Sequence, residues 1–168
     1  NIFLIMTLSL VISCSSKKET FIDYTNPQIE YSGRIDSSKI KGAELYWSGT
    51  SIKLNFEGES ISALIEDEKG DNYYNIIIDN GNPFILRPDT IKRYHKLASK
   101  LTREKHTVEI FKRTEWDQGK SSFYGFKLEG NAKVLKKSAS KKRKIEFYGN
   151  SITAGYAVED LSGKDSPD

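Results

Sequence analysis

Between Gln28 and Asn131 apolar and polar residues alternate with a period of two, in short runs rich in Val, Ile, Tyr and Phe. The alternation predicts strands near Ala43–Trp47, Ser51–Glu57, Ser60–Asp67, Tyr73–Asp79, Lys105–Thr114 and Phe123–Glu129. Turn residues punctuate them at Ser48-Gly49, Glu57-Gly58, Lys69-Gly70-Asp71, Asp79-Asn80-Gly81-Asn82-Pro83 and Asp117-Gln118-Gly119. Asn80-Gly81 suits the centre of a type I′ turn, where both residues need positive φ. Only Tyr94–Leu101 reads as a short helical turn. Many short strands with no crossover helix predict an all-β, antiparallel sandwich of the jelly-roll kind. About 100 residues suffice for one such core.

The ends of the chain read differently. Ile2–Ile12 is almost continuously apolar and uncharged, and Ser13-Cys14 follows. Such a run falls short of the roughly 20 residues of a membrane-spanning helix and suits the apolar region of an export signal. Val11-Ile12-Ser13-Cys14 resembles a bacterial lipobox, which implies lipid attachment at Cys14 and cleavage before it. A plain secretory signal with an incidental Cys is the simpler alternative. The charged region that precedes such signals is missing, so the natural chain is expected to start a few residues earlier. Residues 1–14 are thus read as a lipoprotein signal and 15–27 as a flexible tether. The expected location is a bacterial cell envelope, with membrane contact only through the lipid.

Composition narrows the chemistry. One Cys among 168 residues excludes a disulfide framework or Cys-rich zinc site, and two His make a His-rich metal site unpromising. No cofactor is expected. The net charge is +3, yet Lys133–Lys144 alone holds seven basic residues and no acid, so the rest of the chain is net acidic. The basic run is read as a solvated linker over 133–143 rather than a nucleic-acid arm. It separates a β domain over 28–132 from a segment of different grammar. There Ile145-Glu146-Phe147-Tyr148 reads as a short strand, Gly149-Asn150 as a turn, and Ser151 as the opening of a helix. Residues 144–168 are too few to bury a core and are expected to begin a second, α/β domain that this sequence does not complete.

Ser151 is the candidate for chemistry. A serine at the carboxyl end of a strand and the start of a helix has backbone N–H groups near it that can face a developing oxyanion. Gly149 would let the backbone turn without a Cβ in the way. Alone, Gly-x-Ser is weak, and a turn serine is the ordinary reading. Thr153 also departs from the Gly-x-Ser-x-Gly elbow of α/β-hydrolases.

The wider block, Lys144-Ile-Glu-Phe-Tyr-Gly-Asn-Ser-Ile-Thr-Ala-Gly-Tyr156, resembles the first block of SGNH (GDSL-like) hydrolases, and more narrowly that of the family 2 carbohydrate esterases. Trp47-Ser48-Gly49-Thr50, His106-Thr107-Val108, Lys112-Arg113-Thr114-Glu115 and Phe123-Tyr124-Gly125-Phe126 occur in the same order, so the resemblance runs from about Tyr31 to Asp160. It implies a jelly roll before an SGNH domain, and an exported, metal-free serine esterase. Such enzymes remove acetyl groups from plant polysaccharides such as xylan and mannan. Carried over, Ser151 would be the nucleophile, its own N–H one oxyanion donor, and Gly149 and Asn150 the supporting turn. The base and the other donors match no position of this chain, so the 168 residues alone are expected to be inactive. The family usually has Asp where Asn150 stands. The alternative is a non-catalytic glycan-binding sandwich on the cell surface.

Other residues invite sharper readings. His95, read as a surface residue, and His106, read as bordering a strand, are not expected to act as base. Arg113 and Glu115, on one face of a strand end, and Trp116 could form the rim of a catalytic cleft. Trp47 could stack on sugar, although packing is the commoner role of a Trp. Glu66, Asp67 and Glu68 read as a solvated acidic turn rather than a glycosidase pair.

Overall fold

The computed structural model describes residues 18–38, 42–139, 145 and 147–154. The apolar opening stretch and Cys14 lie outside the described residues. The described residues form twelve strands in two six-stranded antiparallel sheets: β1 Glu19–Asp23, β2 Glu30–Ser32, β3 Ile35–Asp36, β4 Ala43–Leu45, β5 Ser51–Glu57, β6 Ile61–Asp67, β7 Tyr74–Ile78, β8 Phe84–Leu86, β9 Arg93–Ala98, β10 Lys105–Lys112, β11 Ser121–Glu129 and β12 Lys133–Val134. The first sheet runs β3-β4-β11-β6-β9, with β1 also on β11; the second runs β12-β5-β10-β7-β8, with β2 also on β5.

The alternation read from sequence is the alternation that packs. Ile52 faces Ile110, and Leu54 faces Val108, across β5 and β10. All four are buried with Phe56, Ile65, Tyr74, Ile76, Phe123 and Phe126 in one core between the sheets. Cross-strand pairs of branched and aromatic side chains are the unit that stabilises such sheets. On β11 the pairing slips between Phe123 and Gly125. That bulge lets Phe123 and Phe126 both face inward, where their rings meet edge-on 4.8 Å apart.

Three expectations are corrected. Tyr94–Leu101 is not helical: β9 places His95 and Leu97 inward and Tyr94 and Lys96 outward, paired to β6. The period of two was hidden because His95 occupies a core-facing position. The sandwich also starts before residue 28. Glu19–Asp23, assigned to the tether, pairs along Gly125–Glu129 and buries Ile22. At the other end Lys133–Val134, assigned to the linker, pairs with Phe56 and Glu57, and Leu135 N–H donates to Asn55 O. In both places an open strand edge recruits a sequence with little alternation of its own.

The hairpin turn is displaced by one residue. Positive φ falls on Asp79 (52°) and Asn80 (57°), and Gly81 N–H closes onto Ile78 O. Asp79 takes the first central place because its carboxylate is tied across to β10: Oδ1 accepts Thr107 N–H at 2.8 Å and Oδ2 meets His106 Nδ1 at 2.7 Å.

Candidate active site

Ser151 opens a four-residue helix, α1 Ser151–Ala154. Asn150 caps it, its Oδ1 accepting Ile152 N–H at 3.1 Å. A Cβ on Gly149 would overlap the Thr153 side chain, so the glycine is needed for close approach. The strand expected over Ile145–Tyr148 is not formed at the described residues 145, 147 and 148. No described strand pairs with them, and a strand without a neighbour leaves its backbone groups to water. Their side chains are largely exposed: Ile145 is 77%, Phe147 80% and Tyr148 87% exposed, as is Ile152 at 85%.

Both histidines sit on strands of the sandwich. His106 is the second residue of β10 and faces inward, its ring centre 5.6 Å from that of Phe56. Both ring nitrogens are engaged, Nδ1 with Asp79 and Nε2 with Thr102 O at 3.0 Å. Burial opposes its charge, but these two hydrogen bonds and the Asp79 and Glu104 carboxylates prevail and raise its pKa. His95 is buried, not on the surface as read, and its Nε2 has no partner among the described residues. Burial, then the Arg93 charge, holds its pKa below the ordinary 6.5.

The candidate rim residues sit on a loop that the rest of the domain holds fast. β10 stops at Lys112, two residues earlier than expected, and 113–120 leads through a 3₁₀ turn at Trp116–Gln118 into β11. Five successive carbonyls of this loop are taken. Lys112 Nζ donates to Thr114 O (2.8 Å) and Glu115 O (3.3 Å), Gly119 N–H to Trp116 O (3.1 Å), Lys69 Nζ to Asp117 O (2.9 Å) and Asn72 Nδ2 to Gln118 O (3.3 Å). Arg113 N–H donates to Tyr73 O, and Ser48 Oγ to Glu115 Oε2 at 3.1 Å, joining this loop to the one carrying Trp47. Trp116 stands out from it, 62% exposed; Trp47 is 43% exposed, with the Arg34 guanidinium 5.6 Å from its ring centre.

Beneath the loop lies a buried polar network. Asp67 accepts from Lys69 and Gly70 N–H, from Asn72 Nδ2 at 2.9 Å and from Ser121 Oγ. Tyr74 OH donates to Ser121 Oγ, and Thr114 Oγ1 to Asn72 Oδ1 at 2.6 Å. The acidic turn expected at Glu66-Asp67-Glu68 is therefore solvated only at Glu68: Asp67 is buried, and Glu66 accepts Tyr124 OH at 2.7 Å. Lys112 is buried too; that burial pulls its pKa down to about 8 against the carboxylates of Asp67, Glu115 and Asp117. No local pattern announces this network, since Thr114 and Asn72 lie 42 residues apart and Tyr74 and Ser121 47.

The described residues thus form a two-sheet antiparallel sandwich and, after it, a turn that ends in Ser151 at the start of a short, Asn150-capped helix. The sequence profile of the carbohydrate esterase 2 N-terminal region matches residues 31–138. The chain belongs to the family 2 carbohydrate esterases.

Its relatives agree. A cellulase/esterase of Acetivibrio thermocellus is 39% identical over 147 residues, covering 86% of this chain and 17% of that protein. An acetylxylan esterase / glucomannan deacetylase of Cellvibrio japonicus is 24% identical over 96% of this chain and 47% of its own length. The chain thus spans less than half of either relative. Among solved structures, a family two carbohydrate esterase from Cellvibrio japonicus superposes with a TM-score of 0.81 at 25% identity, covering 89% of this chain and 44% of that one. A family two esterase from Clostridium thermocellum, solved with cellohexaose, gives 0.67 at 36% identity over 77% of this chain and 39% of that one.

Proposed function

We propose that this chain supplies the β-sandwich and the nucleophile segment of an exported carbohydrate esterase that removes O-acetyl groups from polysaccharides such as xylan or mannan. The observation that carries the reading is the Gly149-Asn150-Ser151 turn, placed directly after a sandwich of this family and opening a helix at the serine. The exposed Ile145, Phe147, Tyr148 and Ile152 support it. Four large, mostly exposed apolar side chains within eight residues suit a segment that packs into a second domain begun over 144–168.

In the reaction Ser151 Oγ attacks the acetyl carbonyl as a base takes its proton. The sugar oxygen leaves as a hydroxyl, and water then cleaves the acetyl-serine to release acetate. Ser151 N–H is one donor to the oxyanion. The base and remaining donors come from residues outside this chain, so the 168 residues alone are inactive. Losing a single donor costs about 10²–10³ in rate. The fixed Trp116 loop, with Arg113 and Glu115, forms the rim against which the polysaccharide lies. Rigid support of that kind is what positions substrate for attack.

The reading is tested by incubating the purified full-length protein with acetylated xylan, acetylated mannan and an aryl acetate, and measuring free acetate. Release from at least one polysaccharide is expected. Release from none of the three would refute it.

A further inference from the structure

The outer face of the β9-β6-β11-β1 sheet holds a groove that neither Ser151 nor the Trp116 loop uses. Its volume is about 680 Å³, and Phe21, Asp23, Tyr24, Leu64, Glu66, Lys92 and Tyr124 line it. That volume is in the range of about 300–1,000 Å³ in which small-ligand sites fall. The register explains why a groove forms here. Tyr94, Leu64, Gly125 and Asp23 lie opposite one another across β9, β6, β11 and β1, and so share the outer face. Gly125 has no side chain, so this row has a gap between Leu64 and Asp23.

The bulge that places Gly125 also shapes the wall. Gly125 has φ +143°, and a Cβ there would come within 2.9 Å of the Phe21 ring and overlap Ile22 O. The tip of Phe21 therefore rests on bare backbone, while 48% of the residue stays exposed. Tyr124 is held at both ends: its OH donates to Glu66 Oε2 at 2.7 Å, and the Lys92 ammonium sits 3.5 Å from its ring centre. Asp23 is set by the turn that follows it, accepting Thr25 N–H at 2.9 Å.

The lining selects a class of ligand. Two carboxylates against one ammonium disfavour phosphate, sulfate and acidic glycans. The same carboxylates and the lysine disfavour an acyl chain. Aromatic rings beside fixed carboxylate acceptors and an ammonium donor suit a neutral sugar chain, whose C–H faces lie on rings and whose hydroxyls pair with the polar groups. We infer that this groove is a second, non-catalytic binding site for a neutral oligosaccharide. Phe21 is its stacking platform, and Glu66, Asp23 and Lys92 are its hydroxyl partners. The inference concerns a face of the sandwich distinct from the Trp116 loop and stands whether or not Ser151 is a nucleophile.

The test is an NMR titration of the 168-residue chain with cellohexaose, xylohexaose and mannohexaose, and with a sulfated hexasaccharide as the anionic comparison. Saturable shifts at Phe21, Leu64 and Tyr124 are expected with at least one neutral sugar. Phe21→Ala should weaken that binding at least about tenfold, as truncating an anchoring aromatic does. Glu66→Gln should weaken it less, with the thermal midpoint of both variants close to that of the parent. Three outcomes would overturn the inference: no shift with any neutral sugar, tighter binding of the sulfated sugar, or shifts confined to Trp47 and Trp116. If Phe21→Ala unfolds the chain, Lys92→Met on the same groove decides, because it too must weaken the neutral sugar.

Discussion

Lys112 shows how far one residue can reach. It is a buried ammonium on the strand face that also carries His106, Val108 and Ile110, and two of its hydrogen bonds hold the carbonyls of the Trp116 loop. Lys112→Met should keep the volume, strip both donors and cost about 1–3 kcal/mol. Limited proteolysis should then cut within 113–119 faster than in the parent. The pH response gives a second check. Burial leaves the folded pKa at about 8, below the ordinary 10.5, so the unfolded chain binds more protons between those values. The contribution of Lys112 to stability therefore rises as the pH climbs from about 8 to about 10.5. Melting curves of Lys112→Met should lack that rise. Asn150 acts on a smaller reach. Asn150→Asp retains a capping oxygen and should be tolerated, whereas Asn150→Ala should cost the α1 cap about 1 kcal/mol. Equal melting of all three full-length proteins would contradict the capping role.

Elements are joined here by pairs that strand patterns do not show. The β7–β8 turn is fastened to β10 by Asp79 and His106. Burial of Asp79 favours its neutral form, but hydrogen bonds from His106 and Thr107, and the imidazolium charge, prevail and lower its pKa. The raised His106 pKa makes its contribution complete below the ordinary 6.5, and that contribution is lost as the pH rises through the folded value. The Asp79 contribution is complete above 3.8 and lost as the pH falls through its own lowered value. The pair should thus stabilise the turn most between those limits, and His106→Gln should flatten the pH profile of the thermal midpoint. An unchanged profile would exclude the pairing. Gly125→Ala, which forces a Cβ against Ile22 O at φ +143°, should cost on the order of 2–4 kcal/mol by breaking the bulge. The strands with their own alternation, β5, β6, β7, β10 and β11, were legible in sequence to within a residue or two. β1, β8 and β12 were not, because such short segments become strands through the edges that receive them. Asp67, Asn72, Lys112 and Thr114 were equally hidden. Polar residues in a strand or turn read as solvated until topology brings distant partners together.

At the scale of the whole molecule, the described residues combine a packed sandwich with an exposed serine segment. Among the described residues, all of the buried apolar core lies within Ile22–Leu128, while those from Ile145 to Ser151 are exposed. Ser151 could be singled out in sequence because its turn is local. No base could be named for it from the sequence, and both histidines belong to the sandwich. At the opposite end, the proposal that Cys14 carries lipid is tested by Cys14→Ser: if the lipid is the anchor, the substitution should move the protein from the membrane to the soluble exported fraction. An unchanged membrane fraction would speak against lipidation at that residue. The nucleophile is tested most directly by acetate release from the full-length protein and its Ser151→Ala variant, on an aryl acetate and on acetylated polysaccharide. The substitution deletes one hydroxyl from an exposed residue and should leave the thermal midpoint unchanged. Loss of acetate release from a folded variant is the result expected. A variant that releases acetate as fast as the parent would make Ser151 a turn residue and remove the basis for the esterase mechanism.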